Sequence, residues 1–178
     1  MKDQTTLNDP RKLHPAPPFS NQPQGAPGLA RKMEPVPDHG EESYRGSSKL
    51  VGRKALVTGG DSGIGRAAAI AFAREGADVA ISYLPDEEAD AIEVIELIEA
   101  EGRKAVALPG DIKQEAWCRD LVEKAVSDLG GLDILVINAG RQQYRETIEE
   151  LSTEDFDKTM KTNLYALHLI AQAAVPQL

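Results

Sequence analysis

The stretch Thr58-Gly59-Gly60-Asp61-Ser62-Gly63-Ile64-Gly65-Arg66 follows a short apolar run and leads into a small-residue segment. Glycines at 59, 63 and 65 permit a tight turn, close approach of backbone to a ligand, and close packing of a helix on a strand. A helix opening there presents free N–H groups and the positive end of its dipole, which suits a pyrophosphate. Gly60 and Gly65 also have the spacing of a G-x-x-x-x-G-K-[S/T] phosphate loop, but Arg66-Ala67 stands where Lys-[Ser/Thr] is needed. A dinucleotide turn is therefore the expectation, because the motif lies between a strand pattern and a helix pattern.

Three further polar groups sit at the ends of apolar segments. Asp111-Ile112 follows one of them; Asp111 either caps a helix starting near Lys113 or meets a ligand. Asn138-Ala139-Gly140 follows another, as a strand-ending turn of residues that tolerate positive φ or as part of the same site. Asn163 lies seven residues after Phe156 and three after Met160, so its spacing puts it with the apolar face of a helix. A buried Asn needs partners, and a neighbouring backbone carbonyl would serve.

The elements that must position these groups begin at Leu50. Ala55–Val57, Val79–Ile81, Ala105–Leu108 and Ile134–Ile137 are short, continuous apolar runs of the kind that form parallel strands buried on both faces. Helical stripes lie between them: Ile64, Ala67, Ala68, Ala71 and Phe72; Ala91, Ile92, Ile95 and Ile98; Cys118, Leu121, Val122, Ala125 and Leu129. A fourth helix starts near Ser152 as cap, with Asp155 in its first turn. Its face carries Phe156, Met160, Leu164, Leu167, Ala171 and Ala174, and Pro176 marks its end. Alternating strands and helices predict an α/β fold, a Rossmann-type doubly wound parallel sheet of strand order 3-2-1-4.

Residues 1–48 are different material. Eight of the 11 prolines precede Asp38, β-branched residues are scarce, and neither period is sustained. Such a segment buries too little to offset its ordering entropy, so an extended or disordered Pro-rich arm is expected, lying on the surface or on a neighbouring subunit. Residues 49–178 form the predicted nucleotide-binding domain.

Charge narrows the function classes. Of 20 Lys+Arg and 29 Asp+Glu, 7 and 6 respectively precede Leu50, so the acidity belongs to the folded part. A surface of that sign repels nucleic-acid backbones and anionic lipid. Cys118 is the one cysteine, which excludes an intrachain disulfide and a cysteine-based metal cluster. With no apolar leader in Met1–Leu13 and no run long enough to span a bilayer, the expected location is cytoplasmic. His14 and His39 lie in the arm and His168 is alone on the fourth helix, so the histidines form no site and no metal is expected.

In these motifs the chain resembles the short-chain dehydrogenase/reductases. Thr58, Gly59, Gly63 and Gly65 meet the T-G-x-x-x-G-x-G pattern, Asp111-Ile112 is similar to the adenine-contacting pair, and Asn138-Ala139-Gly140 to the N-A-G signature. Asn163 stands where the family keeps its tetrad Asn, which the resemblance implies holds a water in a proton relay. The Pro-rich arm resembles that of a bacterial subgroup with an N-terminal extension. The resemblance implies that Thr58, Gly59, Asp61, Ser62, Gly63, Ile64, Gly65, Tyr83, Asp111, Ile112, Asn138, Ala139 and Gly140 contact the cofactor. It implies hydride transfer between a nicotinamide and a small alcohol, aldehyde or ketone, and a homo-oligomer, commonly a tetramer, for the full-length protein.

Two features complicate that expectation. The second strand ends Ser82-Tyr83-Leu84 with the acids Asp86, Glu87 and Glu88 only later, and Ser62 occupies the place where NADP-dependent members carry a basic residue, so the cofactor is NAD or NADP. No tyrosine of the chain has Lys four residues later, so the family's Ser and Tyr-x-x-x-Lys are expected beyond the fourth helix and the chain to be an N-terminal part of the enzyme. Ile137 replaces a second Asn common in relatives, and Gln142, Gln143 and Tyr144 form either an exposed loop or a substrate mouth. The alternative function is a non-catalytic module that binds a dinucleotide or a partner.

Overall fold

The computed structural model describes residues 5–13 and 15–178, so His14 and residues 1–4 lie outside the described residues. Four parallel strands form one sheet in the order β3-β2-β1-β4: β1 Lys54–Thr58, β2 Asp78–Tyr83, β3 Ala105–Pro109 and β4 Ile134–Ile137. Val57 is in register with Ile81 on one side and Val136 on the other. Successive side chains point to opposite faces. Leu56 and Ala80 join the core under helices α3 (Glu115–Leu129) and α5 (Ala166–Ala174), whereas Val57, Val79 and Ile81 join the core under α1 (Gly63–Arg74) and α2 (Glu88–Ala100). Both faces of β1 and β2 are covered, which is why these strands read as continuous apolar runs, whereas β3 and β4, at the edges and expected to be buried as well, are only partly buried. No described helix is long and apolar enough to cross a membrane.

The helices follow the sequence unevenly. In α3 the buried set is the predicted one, Cys118, Leu121, Val122, Ala125 and Leu129. In α1 the buried residues are Gly65, Arg66, Ala69, Ile70 and Ala73, so the stripe expected to face the sheet is out of phase. Ile64, Ala67, Ala68 and Ala71 instead line a cavity of about 1310 Å3 with Phe19, Met33 and other arm residues. Alanine on nearly every side makes α1 apolar all round, and periodicity then cannot select a face. In α2, Ala91 and Ile98 are buried as expected, but Val94 takes the place of Ile92, which is half exposed.

The predicted fourth helix is interrupted. Helix α4 runs Thr153–Met160, a single π turn occupies Lys161–Tyr165, and α5 follows. Thr159 Oγ1 donates to the Asp155 carbonyl and Thr162 Oγ1 to that of Lys158, back-bonds of the kind that bend helices. The wider turn shifts the phase. Ala166, Ile170 and Ala174 are buried, whereas Phe156, Leu164 and Leu167 of the expected face are about half exposed.

The arm lies against α1 and α2, held mainly by polar tethers. Arg74 donates to the carbonyls of Gly40, Glu41 and Tyr44. Glu75, just past α1, accepts the Tyr44 hydroxyl at 2.5 Å and the Ser47 and Lys49 amides at 2.9 Å. The Tyr44 hydrogen bond above all, then those two amides, pull its carboxyl from 4.5 down to about 2. A depressed carboxylate stabilises the fold above its ordinary value and stops doing so as pH falls toward the folded value. Release of residues 40–49, read by limited proteolysis, is therefore expected as pH drops from 4.5 toward 2. Glu75→Gln should remove that dependence; a variant that keeps it would exclude Glu75 as the titrating tether.

Candidate functional site

The carboxyl ends of β1 and β4 meet where the chain reverses its direction of travel across the sheet, the position at which open α/β sheets bind ligands. Thr58 ends β1 and is fully buried. Its Oγ1 accepts the amides of Asn138 and Ala139 at 3.0 and 3.1 Å, and the Asn138 amide nitrogen donates to the carbonyls of Thr58 and Gly59 at 3.3 and 3.1 Å. The two turns are thus stitched together. Thr58→Val keeps the shape but strands both amides, each such loss costing about 1–3 kcal/mol. Thermal or urea unfolding should show a destabilisation of at least ~1 kcal/mol; an unchanged midpoint would mean the two amides find other partners.

Glycine is required here by space. Gly59 has φ +63, and a Cβ on it would lie 3.0 Å from Ala139 Cα. A Cβ on Gly65 would collide with the Gly59 carbonyl oxygen and stand 2.7 Å from Asn138 Nδ2. Ser62 occupies the N-cap position of α1 without a side-chain cap bond, leaving the first helical amides uncapped by it. Gly63 faces open space, and Ile64 is exposed beside the arm cavity.

Asp61 is buried, and one of its carboxylate oxygens has no hydrogen-bond partner among the described residues. Burial is the chief cause that raises its pKa, with the neighbouring Asp90 adding to it. Glu87 is raised for the same first reason. The Tyr83 ring is packed in the core with Val79, Ile81 and Ala91, so its side chain is not on the surface of the crevice. Burial, then the Glu88 carboxylate, raises its hydroxyl well above the usual range.

At the end of β3, Asp111 Oδ1 accepts the Lys113 amide at 3.0 Å and Oδ2 pairs with Lys113 Nζ at 3.2 Å. The local turn-forming role is therefore present, and the helix itself begins later, at Glu115. Ile112 is buried among the α3 core residues. The ring of Trp117 occupies the space a side chain on Gly110 would need.

Asn163 lies in the π turn, and its spacing misled: the residue is exposed, not part of the buried face. It still has two partners. Oδ1 accepts the Arg141 amide at 2.7 Å and Nδ2 donates to the Arg141 carbonyl at 2.8 Å, so it clamps the backbone one residue past Gly140. Asp155, beside the Ser152 cap of α4, holds Arg141 at 3.0 Å and Arg145 at 2.7 Å. These pairs, which periodicity could not signal, fold the loop that includes exposed Gln142, Gln143 and Tyr144. Among the described residues no group of three or more His, Cys, Asp or Glu is placed to hold a metal.

Comparison with known proteins agrees with this geometry. The family model described as short chain dehydrogenase matches residues 53–178. The uncharacterized oxidoreductase YhxD of Bacillus subtilis is 59% identical over 174 residues, 98% of this chain and 58% of that protein. The uncharacterized oxidoreductase YghA of Escherichia coli is 55% identical over 172 residues, 97% of this chain and 58% of its own length. A short chain dehydrogenase from Burkholderia cenocepacia, solved in complex with NADP, is 42% identical with a TM-score of 0.68, over 73% of this chain and 52% of that one. The chain thus spans a little over half the length of these relatives.

Proposed function

From the premise that the chain belongs to the short-chain dehydrogenase family, we propose that residues 49–178 are the NAD(P)-binding half of an oxidoreductase. The observation that carries this reading is the stitched pair of turns at the β1/β4 crevice, where Gly59 and Gly65 leave no room for a Cβ, Gly63 opens to free space and no side chain caps the first turn of α1. Thr58, Gly59, Asp61, Ser62, Gly63, Ile64 and Gly65 would hold the pyrophosphate, chiefly through backbone. Asp111 and Ile112 would meet the adenine, and Tyr83 would border the ribose through its backbone. Asn138, Ala139 and Gly140 would line the floor of the crevice. The complexes of relatives with NADP and NADPH support a nicotinamide cofactor.

When bound, the cofactor supplies hydride exchange at the nicotinamide with a small alcohol, aldehyde or ketone. Asn163 would order the backbone at Arg141, just past the Asn138-Ala139-Gly140 turn. The Tyr and Lys that move the proton are proposed to lie outside these 178 residues, since none of Tyr44, Tyr83, Tyr144 and Tyr165 has Lys four residues on. A cytoplasmic location and a homo-tetramer of the complete enzyme belong to the same proposal.

Titration of the chain with NADPH and NADH tests it, with quenching of Trp117, the one tryptophan, as the signal. Saturable binding without turnover on alcohols or aldehydes is expected. Turnover is expected once the residues that follow in the enzyme are present. A folded chain that bound neither dinucleotide would contradict the proposal.

A further inference from the structure

The outer side of the glycine turn is held by charged groups that the proposed function does not use. Arg66 directly follows Gly65 in the first turn of α1, and its side chain is 9% exposed. Its Nε donates to Glu41 Oε1 of the arm at 2.8 Å and one terminal nitrogen donates to Glu93 Oε2 of α2 at 3.0 Å. Three residues before Glu93, Asp90 is wholly buried and accepts the amide of Ala30, again from the arm, at 2.6 Å. The other Asp90 oxygen has no hydrogen bond among the described residues, and Arg31 Nε lies 3.7 Å from it.

Glu41 is fixed from both ends. Arg74 donates to its carbonyl at 2.8 Å, and His39 donates its amide to the carboxylate at 2.5 Å with its Nδ1 3.1 Å from the other oxygen. This is a built contact, because a loose surface pair would not have its backbone and its carboxylate held separately.

We infer that the arm segment from Ala30 to Glu41 is a strap that positions the dinucleotide turn, its Ala30 amide and Glu41 carboxylate holding Asp90 and Arg66 so that α2 keeps the first turn of α1 in place. Asp61 of the turn and Asp90 of α2 are both buried and repel each other across this contact. The arm supplies Asp90 with its hydrogen-bond donor and Arg66 with one of its two carboxylates. Without them a buried carboxylate has no donor and a nearly buried guanidinium is half paired, which the structure relieves by moving α2 and α1 apart. The turn loses its fixed geometry, and the groups that preorganise a bound pyrophosphate go with it.

The effect on cofactor affinity rests on the proposed function; the positioning of the turn does not. Two variants of the full chain separate them. Glu41→Gln keeps the shape of the arm contact and removes its charge. Ala30→Pro removes the N–H that Asp90 accepts. Proline is tolerated at the first position of a helical turn, and the extended backbone of Leu29, φ −105 and ψ 125, suits the residue before it.

Hydrogen exchange of the hydrogen-bonded amides of Gly59, Gly60 and Arg66 is the primary readout. Exchange there should accelerate by about tenfold in each variant while the amides of β1 to β3 keep their protection. NADPH affinity should weaken by at least about fivefold. Arg11→Ala, which breaks an exposed pair with Asp9, should move neither. Unchanged exchange across the turn in both variants would overturn the strap, whatever the chain binds. A chain that takes up no dinucleotide but shows the accelerated exchange would contradict the proposed function and support the strap.

Discussion

Gly65→Ala will reduce NADPH affinity by at least about 100-fold, or roughly 2.7 kcal/mol. The added methyl group would occupy the position of the Gly59 carbonyl oxygen and press on Asn138 Nδ2, and neither can withdraw. Gly59 carbonyl already accepts from Asn138, and Gly59 N is tied to the Ser82 carbonyl at 2.7 Å. Helix α1 must then lift from the sheet, taking Ala69 and Ala73 out of the core they share with Val57 and Ile81. Gly63→Ala is the comparison: a Cβ there meets nothing within 4 Å, and the cost is backbone strain at φ +52, about 1–2 kcal/mol. Calorimetric titration with NADPH reads the loss of affinity against the parent chain, and thermal unfolding of the two ligand-free variants separates close approach from strain. A Gly65→Ala protein that unfolds no earlier than Gly63→Ala would mean that helix and strand do not meet as described.

At micromolar concentration the chain will sediment as more than a monomer. Among the described residues strand β4 pairs with β1 and with no second strand, and the side chains of Ile134–Ile137 are only half buried. On the helical segments that follow β4, Phe156, Leu164, Leu167 and Val175 are each about half exposed or more. An unpaired edge and exposed large apolar side chains both recruit another chain. Sedimentation velocity over a concentration series checks it, and Leu164→Glu with Leu167→Glu tells which surface dominates: dissociation points to the helices, persistence to the strand edge. A wild-type chain that stays monomeric throughout would contradict the expectation.

The half-sheet was legible because its central strands β1 and β2 are buried on both faces, which leaves uninterrupted runs such as Ala55–Val57 between polar turns; the edge strands β3 and β4 carry similar runs although they are only partly buried. Helix α3 was legible because one face alone is apolar. Helix α1 was not, since alanines line both its sheet side and its arm side, and two stripes fit equally well. The helix carrying Asn163 was misphased because a π turn leaves no mark on hydropathy; the paired threonines Thr159 and Thr162 are its visible trace, but back-bonding threonines do not by themselves specify one. Composition set the arm apart from the folded part and said nothing about its attachment. The groups that hold it, Arg66, Arg74, Glu75 and Asp90, read in sequence as ordinary charged positions on helices, and only the fold brings them to the arm. The glycine turn and the Asn138-Ala139-Gly140 turn were legible singly; that Thr58 joins them was not.

The most direct test of the account is to map NADP+ onto the isotopically labelled chain by backbone amide shifts. The predicted result is a set of perturbed amides at Thr58 to Gly65, at Asp111 and Ile112, and at Asn138 to Gly140, with the far ends of the strands unmoved. Shifts absent from these residues, or gathered instead around Phe19, Met33 and Ala68 in the cavity under the arm, would contradict it.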